Sequence, residues 1–142
     1  MSETHHHPHH HHDDQTLTKN QALVMSRLSS AGGPLSAYTI LDQLRDQGFR
    51  APLQVYRALD KLVEFGMVHR LESMNAFVAC RHSSCDQHEA VAFAICETCG
   101  EVTEISGDAL DGQLKALAAE VGFVLTKSTV ELRGRCARCK TA

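Results

Sequence analysis

The sequence predicts an α+β protein made of two small units, the first mostly helical and the second mostly built from strands. Apolar residues recur at helical spacing between residues 17 and 65, and the spacing then changes to the alternation typical of strands. Two Cys-x-x-Cys pairs, Cys96/Cys99 and Cys136/Cys139, bracket the last third of the chain. With 142 residues and 5% aromatic residues, the cores are thin, and a bound metal commonly stabilises such cores.

The chain opens with a low-complexity head, residues 1–14, in which Pro8 separates two runs of histidine. Because it holds almost nothing that can be buried, we expect this head to be disordered. It is either a purification tag or a native metal-binding tail, and the interruption at Pro8 favours the native tail.

Three helices are predicted next, each beginning at a capping residue or a proline and ending at a glycine. Apolar residues recur along one side of each helix, so one face of each is expected to pack into a common core. The predicted limits are Thr18 and Gly32, Ser36 and Gly48, and Pro52 and Gly66.

Residues 67–71 and 76–80 alternate like strands on either side of the turn 72–75, which predicts a β-hairpin. Three short helices and a hairpin are the layout of a winged helix-turn-helix module, whose third helix enters the major groove of DNA. Helix-turn-helix layouts also occur in protein-binding modules, where such residues are simply solvated. Although the net charge is −3, residues 15–80 hold more Lys and Arg than Asp and Glu. The candidate DNA-binding residues are Gln54, Tyr56, Arg57 and Lys61.

The second unit, residues 89–142, is predicted as β-β-α-β, with strands at 90–95 and 101–105, a helix at 108–121 and a long strand at 123–132. A unit of this size with one helix leaves apolar surface exposed, so we expect it to pair with a second copy of itself as a small α/β dimerisation domain.

The four paired cysteines predict a closed structural zinc site made of Cys96, Cys99, Cys136 and Cys139. The sequence shows no apolar signal peptide and no long apolar run, so a cytoplasmic protein is expected, in which thiols are more often ligands than disulfides. A four-thiolate site has no open position for a substrate, and no base is placed for catalysis, so we do not expect an enzyme.

A second group of metal donors lies around residues 81–88, where we expect a hinge between the units. His69 and Cys80 fall on partner strands of the hairpin, and His88 and Glu104 come from the other side of the hinge. Together they offer nitrogen, sulfur and oxygen donors that suit Zn²⁺. Each residue alone is more easily explained as structural or solvated, and His82 and Cys85 are rival ligands in the same loop.

Several segments resemble the ferric uptake regulator family, and the likeness runs from about Leu17 to Cys139. The recognition helix with the first wing strand and the first cysteine pair carry the family likeness, and the other segments look most like its zinc uptake regulator branch. These segments are Gln54–Leu62, Gly66–Arg70 and Ile95–Val102 for the family, and Ser36–Tyr38, Val68–Ser73 and Cys136–Cys139 for the branch.

The resemblance implies a homodimeric, zinc-responsive repressor of zinc uptake genes that binds operator DNA. It implies that the four paired cysteines hold structural zinc, that His69, Cys80, His88 and Glu104 form the sensory site, and that Tyr56 and Arg57 contact the operator. Only one histidine, His88, stands just before the first cysteine pair, which argues against an iron sensor. An iron- or manganese-responsive regulator and a thiol-based redox sensor remain the alternatives.

Overall fold

The computed structural model describes residues 16–81, 90–105, 108–126 and 128–140. The predicted head, the hinge after Arg81 and the candidate ligands His82, Cys85 and His88 lie outside the described residues.

Three α-helices open the described chain: α1 (Lys19–Ser30), α2 (Ala37–Leu44) and α3 (Pro52–Glu64). The predicted starts are correct. Thr18 caps α1 through a reciprocal pair of hydrogen bonds, in which the N–H of Gln21 donates to Thr18 Oγ1 at 3.2 Å and the N–H of Thr18 donates to Gln21 Oε1 at 3.1 Å. A single 3₁₀ turn follows α2 and ends at Gly48, whose φ of 98° is a conformation that favours glycine.

The first core lies between these helices and the hairpin that follows them. Each helix places its apolar face inward, and the hairpin closes the core from one side. Its fully buried large side chains are Val24 and Leu28 of α1, Ile40 of α2, Phe49, Val55, Leu59 and Leu62 of α3, and Val68 of the hairpin.

The hairpin consists of β1 (Val68–Leu71) and β2 (Ala76–Ala79), paired antiparallel with His69 opposite Val78. The tight turn between the strands contains Asn75, whose φ of 49° is left-handed. Three helices with this hairpin are the winged helix-turn-helix layout that the sequence predicts.

The second unit contains β3 (Ala90–Cys96), β4 (Val102–Ile105), α4 (Asp108–Glu120) and β5 (Ser128–Gly134). Its sheet has the order β4-β3-β5, with β3 antiparallel to β4 and parallel to β5. The order β-β-α-β and the α+β class are therefore confirmed. None of the described helices is long and apolar enough to cross a membrane.

The prediction that the last strand starts at residue 123 is wrong, since β5 begins at Ser128. The N–H groups of Gly122 and Phe123 donate to the carbonyl oxygens of Ala119 and Ala118, so these residues close the C-terminal end of α4. Among the described residues, the pairing of β5 with β3 begins at Ser128, which lies opposite Ala90.

Candidate metal centres and DNA-binding surface

The four paired cysteines come together at one end of the three-stranded sheet. Cys96 ends β3, Cys99 follows it in a tight turn, and Cys136 and Cys139 follow the end of β5. Because β3 and β5 are parallel neighbours, their ends meet at the same edge of the sheet. The four sulfur atoms lie within 4.8 Å of one another.

The geometry of this cluster fits a tetrahedral ion. With four Zn–S bonds of about 2.3 Å, a tetrahedron has edges of about 3.8 Å between sulfur atoms. The Sγ atoms of Cys99 and Cys136 are 3.8 Å apart. The donor set and the spacing therefore match a closed four-thiolate zinc site.

Backbone N–H groups lower the pKa of the Cys96 thiol. The N–H groups of Cys99 and Cys136 donate to Cys96 Sγ at 3.5 Å and 3.3 Å, and they lower the pKa of Cys96 to about 6. By contrast, the neighbouring Cys136 sulfur raises the pKa of Cys139 to about 12. Four thiolates this close together would repel one another, and a bound cation would offset that repulsion.

A second candidate metal centre lies between the two units. His69, Cys80 and Glu104 place one ligand atom each within 4.8 Å of one another, and all three side chains are half-buried. His69 lies on β1, Cys80 follows β2, and Glu104 lies on β4. The fourth predicted ligand, His88, lies outside the described residues.

These three residues meet because the hairpin packs against one face of the three-stranded sheet. Side chains two residues apart share a face of a strand, so His69 lies on the same side of β1 as Leu71. Leu71 is fully buried against Phe93 and Ile95 of β3. The His69 and Phe93 rings have centroids 5.3 Å apart. The packing of Leu71 and His69 against Phe93 places His69 and Cys80 next to Glu104.

Phe93 forms the middle of a row across the sheet. Its register partners are Glu104 on β4 and Glu131 on β5, so two carboxylates flank one buried ring. On the β5 side, the backbone N–H and the hydroxyl of Ser73, in the turn of the hairpin, donate to Glu131 at 3.2–3.3 Å. The Glu104 carboxylate thus lies with the candidate metal donors, and the Glu131 carboxylate binds Ser73 in the turn of the hairpin.

Imidazole, thiolate and carboxylate are usual protein ligands of Zn²⁺, so the residue types of the junction site suit this ion. In this structure Cys80 is disulfide-bonded, and it would bind the ion as a thiolate only after reduction. Three protein ligands leave at least one coordination position to another group. This differs from the four-cysteine cluster, which is complete by itself.

The predicted DNA-binding residues all lie on α3, the recognition helix of a winged helix-turn-helix module. Arg57 and Lys61 are exposed, and Lys61 forms an ion pair of 3.1 Å with Glu64. Tyr56 is half-buried, and its side chain packs against the first core.

Gln54 also caps α3. Its Oε1 accepts hydrogen bonds from the N–H groups of Arg50 at 2.7 Å and Ala51 at 3.1 Å. The carbonyl oxygen of this side chain is therefore committed to the start of the helix, while its NH₂ group is the part that can donate to DNA. Gln54, Arg57 and Lys61 line one groove with Thr18 and Asn20 at the start of α1.

Two residues at the junction were not expected from the sequence. Glu131 binds Ser73, and Arg81 contacts both Glu104 and the end of α1. Both contacts join parts of the chain that are far apart, and no spacing or motif marks either residue. The alternation of β5 could only have placed Glu131 on one face of its strand.

Comparison with known proteins decides the family. The model of the ferric uptake regulator family matches residues 12–133, which is most of the chain. This chain belongs to the ferric uptake regulator family. That confirms the family predicted from the recognition helix and the first cysteine pair, and the family is one of transcriptional regulators.

Two curated members of the family illustrate the range of similarity. The zinc uptake regulation protein of Escherichia coli (strain K12) is 40% identical over 124 residues, which cover 87% of this chain and 72% of that protein. The ferric uptake regulation protein of the same strain is 30% identical over 106 residues, which cover 72% of this chain and 68% of that protein.

Two solved structures share the fold. Holo XcZur is 42% identical, with a TM-score of 0.78 over 89% of this chain and 87% of that chain. A zinc uptake regulator in complex with zinc and DNA is 39% identical, with a TM-score of 0.78 over 86% of this chain and 81% of that chain. Both support the assignment of an N-terminal helical unit and a C-terminal sheet unit to this family.

Proposed function

We propose that this protein is a zinc-responsive transcriptional repressor, which binds operator DNA as a dimer and controls genes of zinc uptake. The observation that carries the proposal is the meeting of His69, Cys80 and Glu104 across the junction of the two units. The higher identity to a zinc uptake regulation protein than to a ferric one supports zinc as the effector.

The four-cysteine cluster is the structural site. A bound ion would connect the end of β3 to the residues that follow β5, and it would stabilise the C-terminal unit at that end of its sheet. Because four thiolates fill the tetrahedron, this site has no position for an exchanging ligand and is not expected to act as the sensor. It also offers no position for a substrate, and we assign the protein no catalytic activity.

The sensory site consists of His69, Cys80, Glu104 and, as the resemblance implies, His88. A bound Zn²⁺ supplies positive charge and directed bonds that hold its donors together. As a thiolate, Cys80 would place a second negative charge beside the Glu104 carboxylate, and a bound cation would offset the repulsion between them. The donors of the hairpin and of β4 therefore come together most stably with zinc present.

The closed arrangement controls DNA binding through the position of the hairpin. β1 follows directly after the recognition helix α3, so fixing the hairpin against the sheet fixes α3 in the dimer. Two recognition helices must match successive turns of the major groove. Tyr56, Arg57 and Lys61 are the residues that we assign to the operator, with the NH₂ group of Gln54.

The second copy of the chain is the partner that the C-terminal unit requires. Its sheet packs the hairpin on one face, while Ile105 and Leu132, which lie on the other face, are exposed. Val121, Phe123 and Val124 after α4 are exposed as well. An apolar surface of this kind is typical of an interface between subunits.

The domain limits follow from this proposal. Residues 15–80 form the DNA-binding domain, residues 81–88 the hinge and residues 89–142 the dimerisation domain, after a head at residues 1–14. Because a regulator that binds operator DNA must reach that DNA, we propose that this protein acts in the cytoplasm.

The proposal is tested by measuring operator affinity by fluorescence anisotropy at buffered concentrations of free zinc. Zinc is expected to tighten binding by the wild type by about 10- to 100-fold, the usual range of coupling between two sites. His69→Ala, Cys80→Ser and Glu104→Gln are each expected to remove most of this response because each takes away one donor. Glu120→Gln, at the exposed end of α4, is the control and should respond like the wild type.

The proposal is wrong if the operator affinity of the wild type does not change with zinc. It is also wrong if the variants of His69, Cys80 and Glu104 keep the full zinc-dependent increase in operator affinity. Fe²⁺ and Mn²⁺ at matched free concentrations separate the sensors within the family, since a stronger response to either would reassign the metal. Loss of DNA binding on thiol oxidation with zinc retained would instead indicate a thiol-based sensor.

A further inference from the structure

Arg81 is the first residue beyond the metal donor Cys80, and it contacts two elements at once. Its backbone N–H donates to Glu104 Oε2 at 3.4 Å, and its guanidinium Nη2 donates to the carbonyl oxygen of Ala31 at 3.1 Å. Glu104 belongs to the sensory cluster, and Ala31 is the C-terminal cap of α1. One residue therefore connects the sensory site with a helix of the DNA-binding unit.

The contact with Ala31 is chemically suited to hold the helix. The last carbonyl groups of an α-helix have no partner within the helix and carry partial negative charge. A guanidinium is a permanent cation with several fixed donors, so it satisfies such a carbonyl well. The α1 helix is thereby attached at its C-terminal end to the residue that follows Cys80.

The position of α1 determines the position of the recognition helix. Val24 and Leu28 of α1 are fully buried in the same core as Val55 and Leu59 of α3. Close-packed interiors transmit displacement because their side chains cannot shift independently. A constraint on the end of α1 is therefore passed to α3 through this core.

The end of α1 borders an open cavity that it shares with the sheet. A cavity of about 250 Å³ lies there, lined by Gly32, Gly33, Arg81, Phe93 and Glu104 among others. A Cβ atom built on Gly32 or Gly33 would have no neighbour within 4 Å. Within the described part of the chain, the hydrogen bonds between this end of α1 and Glu104 pass through Arg81.

We infer that Arg81 is a positioning residue that couples the sensory metal site to the DNA-binding helices, an inference that rests on the proposed function. When Glu104 and Cys80 are fixed in the sensory site, the backbone of Arg81 is fixed between them. Its guanidinium then holds α1, and with it α3, in one orientation. Arg81 binds neither the metal nor the operator in this account.

The side chain and the backbone of Arg81 have separable roles, which makes the inference testable. Arg81→Ala removes the guanidinium and keeps the N–H that reaches Glu104. Zinc affinity of the sensory site should stay within about two-fold of the wild type, in contrast to the 10- to 100-fold loss typical when a group that orients a ligand is removed. The factor by which zinc tightens operator binding should fall about five-fold or more.

The experiment measures zinc affinity by chelator competition, and operator affinity with and without zinc, for the wild type and three variants. Arg81→Lys keeps a cation that can donate to Ala31 and should restore part of the coupling. Arg27→Ala is the matched control, because the Arg27 side chain bonds to Gln43 within the DNA-binding unit at 2.9 Å. It should lower operator affinity equally with and without zinc, leaving the coupling factor unchanged.

Amide hydrogen exchange gives a readout independent of DNA. In the wild type, zinc should slow exchange of the Ala31 N–H, which donates to Arg27 and Leu28, and Arg81→Ala should lose that effect. The inference fails if Arg81→Ala keeps the full coupling factor, if it loses zinc affinity in parallel, or if Arg27→Ala loses coupling equally. If the wild type binds zinc but its operator affinity does not change with zinc, the proposed function is wrong, and so is the role inferred for Arg81.

Discussion

Cys96 is a core residue and one of the four proposed metal donors. It is buried at the end of β3, and two backbone N–H groups point at its sulfur. These donors lower the pKa of Cys96 to about 6, so the thiolate is favoured before a metal is bound. The other cysteines of the cluster complete the tetrahedron around a donor that the fold has already oriented.

Replacing Cys96 should destabilise the C-terminal unit. We expect Cys96→Ser to lower the free energy of unfolding by at least about 3 kcal/mol, because zinc binding to structural sites contributes directly to folding. Thermal and chemical denaturation with a sizing column measure this effect. A Cys96→Ser dimer as stable as the wild type would contradict the structural role.

The metal donors could be predicted from the sequence to different extents. The spacing Cys-x-x-Cys places two thiolates on one turn, so the four-cysteine cluster followed from local geometry. His69 and Cys80 followed from hairpin pairing, which depends only on the turn between the strands. Glu104 and Arg81 meet them only because the two units pack together, and no local pattern encodes that contact.

At the scale of the element, the two faces of the three-stranded sheet have different surroundings. The face that carries Phe93, Glu104 and Glu131 packs against the hairpin. The opposite face carries Ile105 and Leu132, both exposed. Because successive side chains of a strand point to opposite faces, the proposed sensory residue Glu104 lies on one face of the sheet and the proposed dimer interface lies on the other.

A charge on the outer face should weaken the dimer. Leu132 has 51% of its surface exposed. Leu132→Asp should raise the dissociation constant of the dimer at least about ten-fold. A ten-fold change corresponds to about 1.4 kcal/mol, and burying an unpaired charge in the interface costs more than that. Leu53, on the recognition helix and 57% exposed, is the matched control, and Leu53→Asp should leave the dimer intact. Sedimentation equilibrium measures both, and a Leu132→Asp dimer as tight as the wild type would move the interface elsewhere.

The last strand shows why the limits of elements were harder to predict than their order. Phe123, Val124 and Leu125 are apolar and follow a glycine, so the sequence favoured an early strand. The N–H of Phe123 instead donates to the carbonyl oxygen of Ala118 at the end of α4. Where the chain is described, β5 pairs with β3 from Ser128, which lies opposite Ala90.

At the scale of the whole molecule, function depends on the junction between the units. Leu71 and Phe93 supply apolar contact, and Ser73 and Glu131 add hydrogen bonds. The residues that we propose as sensory donors, His69, Cys80 and Glu104, meet beside them. The two units could be predicted separately from periodicity and motifs. Their contact could not, because it depends on side chains from strands that are distant in sequence.

The central claim is that zinc at the junction and operator DNA stabilise the same arrangement of the units. Linkage then requires operator DNA to tighten zinc binding by the factor by which zinc tightens operator binding. The most direct test measures zinc affinity of the junction site, with the four-cysteine site filled, in the presence of operator or of a scrambled duplex. We predict tighter zinc binding with the operator, by about 10- to 100-fold. Equal zinc affinity with both duplexes would contradict the account.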